Sequence, residues 1–452
     1  MARASSGCSV YVLFCLSPPL AAPCVPQAPP VAFPGEPAWS ERPVVPLDPA
    51  QLLASSRRSS ESAGRGRSLP PMMVFRNLLI GPAHNRNTSA VLWPEFHAQT
   101  LARQNRRGRP VGAPPKFTAE GAAVVDEPVI YAGLHEVHFG HLVAEIVPRL
   151  PQALAERPDL PLVFSRLRTD KRPAPSTMVC SVLDWLDIPR DRLRFVDRPT
   201  VFREVHIAAQ GEHLNGPRTP RSYLRLLEAR IAGNLGRQRP EGVAFVTRAG
   251  LDHKQGLHAA ERYLVACLRD LGVRIIYPEA LSLREQMQHY ARAEVLIFSE
   301  GSAIHGRQLL GRVKQDIAVL QRRKGSEIAR GQIAPRCRSL SYVDSAGGAL
   351  TVRNRYGVNV DYATKSFFRL EETFAFFDQI GVPLRARWDR KTYRQARDQD
   401  ILAWVFAMYD PAIEHHLKPA SEPDFLLSQF DRLSLGHLKD RAAALIKARQ
   451  VP

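Results

Sequence analysis

From about residue 120 the chain alternates short β-rich runs with longer runs of apolar residues at helical spacing, the pattern of α/β architecture. Residues 122–131 predict a strand and 139–156 a helix, with Pro148 placed to kink or break it. A short buried strand is expected at 160–164, a helix at 176–186 capped by Ser176 or Thr177, and another strand at 201–208. Residues 221–235 are Arg-rich with helical periodicity and are stopped by Gly236, which predicts a connector helix. Beyond it the pattern sharpens. Strands are expected at 243–247, 273–277, 294–299 and 316–320, with helices at 259–271 and 283–293 and another starting at Ala303. Such alternation predicts a parallel, doubly wound sheet. Residues 364–450 read as helical, with apolar faces at Phe367/Phe368/Leu370 and at Ile401/Val405/Met408. The pattern divides the chain into a first α/β lobe (73–218), a connector (219–238), a second α/β lobe (239–345) and a C-terminal helical extension (346–452).

Residues 1–72 differ from the rest. They hold 13 of the 37 prolines and Ser- and Arg-rich stretches, too little apolar surface to offset ordering, and predict disorder. Residues 10–16 are apolar, follow Arg3 and precede Ala21-Ala22, which imitates a secretory signal, although Pro18 and Pro19 interrupt it. A tail or an over-called start fits the same residues. Asn87-Thr88-Ser89 matches a glycosylation sequon that matters only in a secretory context.

Composition narrows the class. The chain of 452 residues is 44% hydrophobic and 23% charged, which is globular, and it has no apolar run of membrane-spanning length. Three of the six Cys lie in the first 24 residues and the others are scattered, so no disulfide framework is expected and a reducing, cytoplasmic setting is. The formal net charge of +18 suits nucleic acid, anionic lipid or phosphorylated small molecules without choosing among them. No groove-reading helix or aromatic–basic interleaving supports specific nucleic-acid binding.

Two constellations carry candidate chemistry. The first runs from Tyr131 to Leu150 and places His135, Glu136, His138, His141 and Glu145 at a strand-to-helix junction, where α/β proteins build their sites. His141, Glu145 and Arg149 are spaced to share a helix face. A His or Glu there can deprotonate an attacking hydroxyl, whereas the plain alternative is a capped helix start with surface His and Glu. A zinc site from His135, His138 and His141 lacks a fourth partner. The second is Phe298-Ser299-Glu300-Gly301-Ser302-Ala303-Ile304-His305-Gly306, a strand meeting a helix through Gly and Ser. Backbone N–H groups there can face a pyrophosphate, Ser302 can add a hydroxyl, and Glu300 can accept from ribose hydroxyls. Arg248 ends a strand at the same sheet edge and is a natural phosphate fork. Asp398-Gln399-Asp400 matches the DxD of metal-dependent sugar transferases but falls inside an expected helix and reads as a solvated face. Gly-x-Gly-x-x-Gly and Walker-type loops are absent from the sequence, which counts against a nicotinamide enzyme or a kinase.

Taken in order, these motifs resemble the family 61 glycosyltransferases, which include bacterial capsular polysaccharide biosynthesis proteins. The carriers are Gly140-His141-Leu142-Val143-Ala144-Glu145-Ile146-Val147-Pro148-Arg149-Leu150, Val246-Thr247-Arg248, Ala260-Glu261, Pro278-Glu279 with Gln286, and Glu300-Gly301-Ser302-Ala303-Ile304-His305. The resemblance covers about residues 120–325, under half of the chain. The sequence departs from the family pattern where Leu142 replaces an aromatic residue, where Glu300 replaces a His, and where a later Asn is missing. The resemblance implies two Rossmann-like lobes of GT-B type, with an acceptor on the first and a nucleotide sugar on the second. It implies inverting transfer from a nucleotide diphosphate sugar, with no metal and no cofactor, to a glycan or lipid-linked acceptor in surface polysaccharide synthesis. His141 and Glu145 are then alternative catalytic bases. Arg248, Gly301, Ser302, Glu300, Gln286 and Glu279 are the donor and phosphate residues, and His135 and Arg149 lie on the acceptor side. Peripheral contact with an anionic inner membrane accompanies this reading, and a catalytically inactive sugar-nucleotide-binding or scaffold protein is its rival.

Overall fold

The computed structural model describes residues 69–172, 174–236, 238–354, 356–413 and 423–450. The disorder and signal-like features expected of the N-terminal segment fall outside these residues up to position 68. The chain is mixed α/β with two parallel-rich sheets. The first is seven-stranded, in the spatial order Val91–Leu92, Met73–Ile80, Thr200–Ile207, Val129–Leu134, Leu162–Ser165 and Leu193–Val196, with Ala123–Val125 also paired to Thr200–Ile207. Met73–Ile80 makes antiparallel pairings, and the other pairings of this sheet are parallel. Val129–Leu134 is buried at every position, as a strand covered on both faces must be.

The second sheet has five parallel strands in the spatial order Arg274–Ile276, Val243–Val246, Val295–Ser299, Asp316–Leu320 and Ser339–Val343. Four of these strands were expected from the pattern; Ser339–Val343 is half-exposed and carries no apolar run to betray it. The chain enters this sheet at its second position, so the order reverses between Val243–Val246 and Val295–Ser299. The crevice beyond the carboxyl ends of those two strands is where such sheets hold ligands.

One apolar core joins the two sheets, running from Leu150 and Trp185 on one side to Phe298, Ile304 and Leu309 on the other. The Trp185 indole donates to the Leu309 carbonyl at 2.9 Å across it. Glu212, just after Thr200–Ile207, forms a two-point ion pair with Arg336 at 2.7 and 3.0 Å, and also accepts from Gln308 and Thr219.

Three local expectations need correction. Residues 346–368 are not a helical extension: Ala346–Leu350 and Lys365–Phe368 form a three-stranded sheet with Leu257–His258. A four-residue run such as Lys365-Ser366-Phe367-Phe368 is too short for periodicity to separate strand from helix, and only its partners decide. The helices Leu370–Gln379, Arg390–Met408, Pro423–Arg432 and Lys439–Gln450 follow. The turn after Gly301 continues as a 3₁₀ helix, Ser302–Leu309, not an α-helix. Asp400 is no solvated position, because its carboxylate accepts the Ala260 N–H at 2.8 Å, while Asp398 pairs with Arg397 and His437. Among the described residues no helix is long and apolar enough to cross a membrane.

Candidate functional site

The helix expected over 139–156 is broken into an α-turn Phe139–His141, a π-helical turn Leu142–Ile146, a 3₁₀ turn Val147–Arg149 and the α-helix Leu150–Glu156. Pro148 lacks the N–H that would continue the helix and so enforces the break. The π turn still leaves His141 and Glu145 in contact, with Nδ1 and Oε1 2.5 Å apart. Glu145 is 1% exposed, while His141 is 29% exposed. The second carboxylate oxygen accepts Arg106 Nε at 2.7 Å and the Gln104 amide. Burial opposes the charge on Glu145, but hydrogen bonds from His141 and Arg106 outweigh it and hold the carboxyl below its ordinary value. An ionised carboxylate is acceptor-only, so Nδ1 of His141 carries the proton and Nε2 is left as an acceptor.

His141 lines a cleft of about 1430 Å³ that both sheets border. Its walls include seven arginines, and Glu327 is the one carboxylate on them among the described residues. From the first sheet's side come Arg86, Arg107, His138, His141 and Arg218; from the second come Arg248, Ser302, His305, Arg322 and Arg323. The two sequence constellations touch here. A Cβ on Gly140 would fall 3.0 Å from the His305 ring and 3.3 Å from Ser302, so glycine permits the approach. His305 is buried, donates through Nδ1 to Gln308 at 2.6 Å, and is held down at about 4 by that burial, so it is neutral at pH 7.

Arg248 and Gly301 meet at the crevice between the reversing strands. A Cβ on Gly301 would lie 2.1 Å from Arg248 Nη1. Arg248 is buried, its Nε donates to the Gly256 carbonyl at 2.9 Å, and burial lowers its pKa. Glu261, at the start of the helix Glu261–Asp270, ties this region together. It accepts Thr247 Oγ and the Arg248 N–H at 2.7 Å each and Ser299 Oγ at 3.0 Å. The first N–H groups of the 3₁₀ turn at Ser302 and Ala303 have no intrahelical partner.

The remaining sequence-derived residues sit elsewhere. Glu300 is fully buried and both its oxygens are engaged, one by the backbone N–H groups of Arg322 and Arg323 and the other by the Arg323 guanidinium and Ser326. It organises the loop after Asp316–Leu320 and presents no free oxygen to a ribose. The Gln286 amide donates to the Pro278 and Leu281 carbonyls at 2.8 and 3.1 Å, and neither Gln286 nor Glu279 lines the cleft. His135 is buried, bonded to Asp170 at 2.9 Å and packed edge-on against Phe195. Arg149 is buried and donates to the carbonyls of Arg103 and Ala208. Neither His135 nor Arg149 lines the cleft. His135 is thereby turned away from His138 and His141, whose rings lie 5.0 Å apart. Among the described residues no group of three or more His, Cys, Asp or Glu side chains is arranged to hold a metal ion.

The sequence pattern does not single out Arg106, Gln104 or Arg322, and it includes His305 in the second constellation without a role. The run Arg322-Arg323-Lys324 is basic, but nothing local in the sequence says that it follows a strand beside Arg248.

Residues 139–307 match the family model described as Glycosyltransferase 61. The family resemblance carried by the five motifs is therefore borne out over that segment. No curated protein matches the chain.

Proposed function

We propose, from the glycosyltransferase 61 segment and the cleft it borders, that this chain is an inverting glycosyltransferase of GT-B type. It moves a sugar from a nucleoside diphosphate donor to a hydroxyl of a glycan or lipid-linked acceptor in surface polysaccharide synthesis. The observation that carries the reading is His141, held by buried Glu145, lining the same cleft as Arg248, Gly301 and Ser302.

His141 is the base and Glu145 its orienting partner. Glu145 has both oxygens engaged and is sealed from the cleft, whereas Nε2 of His141 faces a space large enough for two sugars and a nucleotide. Nε2 takes the proton of the acceptor hydroxyl as its oxygen attacks the anomeric carbon. The bond from that carbon to the donor's phosphate oxygen breaks, and its electron pair leaves with the diphosphate. Glu145 stabilises the imidazolium that forms. Arg248 and the free N–H groups of the Ser302 turn meet the charge that grows on the leaving diphosphate. This placement puts the donor in the crevice of the second sheet and the acceptor against Arg107, His138 and Arg218. The net charge of +18 suits contact with an anionic membrane carrying a lipid-linked acceptor.

Turnover of a panel of nucleotide sugars by His141→Asn and Glu145→Gln, with nucleotide binding measured in parallel, tests the assignment. Both variants should bind nucleotide normally, with kcat lower by about a hundredfold or more. Near-normal turnover in His141→Asn would remove it as base. Nucleotide binding without turnover in the unsubstituted protein would favour a non-catalytic role.

A further inference from the structure

Arg322 lies two residues beyond the strand Asp316–Leu320 and outside the segment matched to the family. Its side chain borders the basic cleft although the residue is only 4% exposed. Nη1 donates to the Thr364 carbonyl at 3.2 Å, and Nε is buried without any hydrogen-bond partner. No ion pair among the described residues involves Arg322 or Arg248. Of the carboxylates around them, Glu300 is engaged by Arg323, Ser326 and backbone N–H groups and Glu261 by Thr247, Ser299 and the Arg248 N–H, while Glu279 acts on Arg248 through its charge alone, with no ion pair between them.

Gly256 brings the two guanidinium groups to one place. Its carbonyl accepts Arg248 Nε, and a Cβ on it would fall 2.3 Å from Arg322 Nη1. Two buried like charges, neither ion-paired and offset only by carboxylates bound to other groups or at a distance, are costly unless an anion joins them. The surroundings register the excess. Burial holds Arg322 down at about 10, and Arg248 acts in the same direction. His258, buried nearby with Nε2 unpartnered, is pushed well below its ordinary value by burial, then by Arg322, Lys365 and Arg248. Arg323 and Arg330, by contrast, are paired with Glu300 and Glu327.

We infer that Arg322 and Arg248 form a paired guanidinium seat for the two phosphates of a nucleoside diphosphate, and that Arg322 makes the site select a diphosphate over a monophosphate. This rests on the donor-binding reading above. Each guanidinium offers a planar fork matched to phosphate oxygens, and two forks held side by side match two phosphates.

The test measures calorimetric binding to the full chain, its Arg322→Gln, Arg322→Lys and Arg248→Gln variants, of inorganic phosphate, inorganic pyrophosphate and the mono- and diphosphates of the common nucleosides. The unsubstituted protein should prefer a diphosphate to its monophosphate by about tenfold or more. Arg322→Gln should weaken diphosphate binding by about ten- to a hundredfold while changing monophosphate binding less than about threefold, with Arg322→Lys between the two. Because it removes one of two repelling buried charges, Arg322→Gln should keep or raise the ligand-free melting temperature. Unchanged diphosphate affinity in Arg322→Gln, with loss in Arg248→Gln, would overturn the inference and leave the donor-binding reading standing. Equal loss for mono- and diphosphate in both Arg322 variants, with a lowered melting temperature, would mark Arg322 as merely structural and overturn it too. No diphosphate binding by the unsubstituted protein would overturn the donor-binding reading itself and the inference with it.

Discussion

His305 illustrates how burial tunes a single side chain. Its imidazole is held at about 4 by burial, with His141 and His138 acting in the same direction against the bond to Gln308. An unfolded histidine takes up its proton near 6.5, so between that value and about 4 the unfolded chain binds more protons than the folded one. Stability is therefore lost as pH falls through that window, by roughly 3 kcal/mol from this residue alone. Urea melts at pH 7 and pH 5 should show the lower midpoint at pH 5, and His305→Gln should flatten the dependence; an unchanged slope would contradict the assignment. The His141–Glu145 pair was legible beforehand because its spacing is that of neighbours on a helix face. Its support was not, since Arg106 and Gln104 lie 39 and 41 residues away from Glu145. His135 belongs to the same motif yet turns to Asp170, a choice that Phe195 and the sheet impose.

The strand–turn–helix after Val295–Ser299 is defined by what glycine leaves open. A methyl group at position 301 would press on the Arg248 side chain from Cδ to Nη1 and not on backbone, so Gly301→Ala should still fold and push the guanidinium aside. Pyrophosphate affinity should then fall by about tenfold, read by calorimetry. Unaltered affinity would mean that Arg248 reaches the anion from another direction. The alternation of apolar runs revealed the element types around this turn, because periodicities of two and 3.6 are local properties of the chain. It did not reveal that Ser302–Leu309 is 3₁₀ or that Lys365–Phe368 is a strand, as both depend on neighbours distant in sequence.

Across the molecule, Glu212 and Arg336 clamp the segment after Thr200–Ile207 to the far side of the second sheet, both with side chains that are essentially inaccessible. Glu212→Ala would leave a buried guanidinium facing Gln308 and Thr219 and should cost about 3–5 kcal/mol in denaturant melts. A loss below about 1 kcal/mol would place the attachment of the two sheets in their shared apolar core instead. Hydrophobic periodicity and turn residues were enough for an α/β chain with a doubly wound sheet and for two glycine- and histidine-bearing junctions, because each depends on residues within a few positions of one another. The meeting of those junctions across one cleft, the sealing of Glu145, the diversion of Glu300 to a loop and the isolation of Arg322 beside Arg248 arose from packing. Burial and charge pairing are sums over neighbours that lie tens of residues apart in the chain, and no local pattern encodes them.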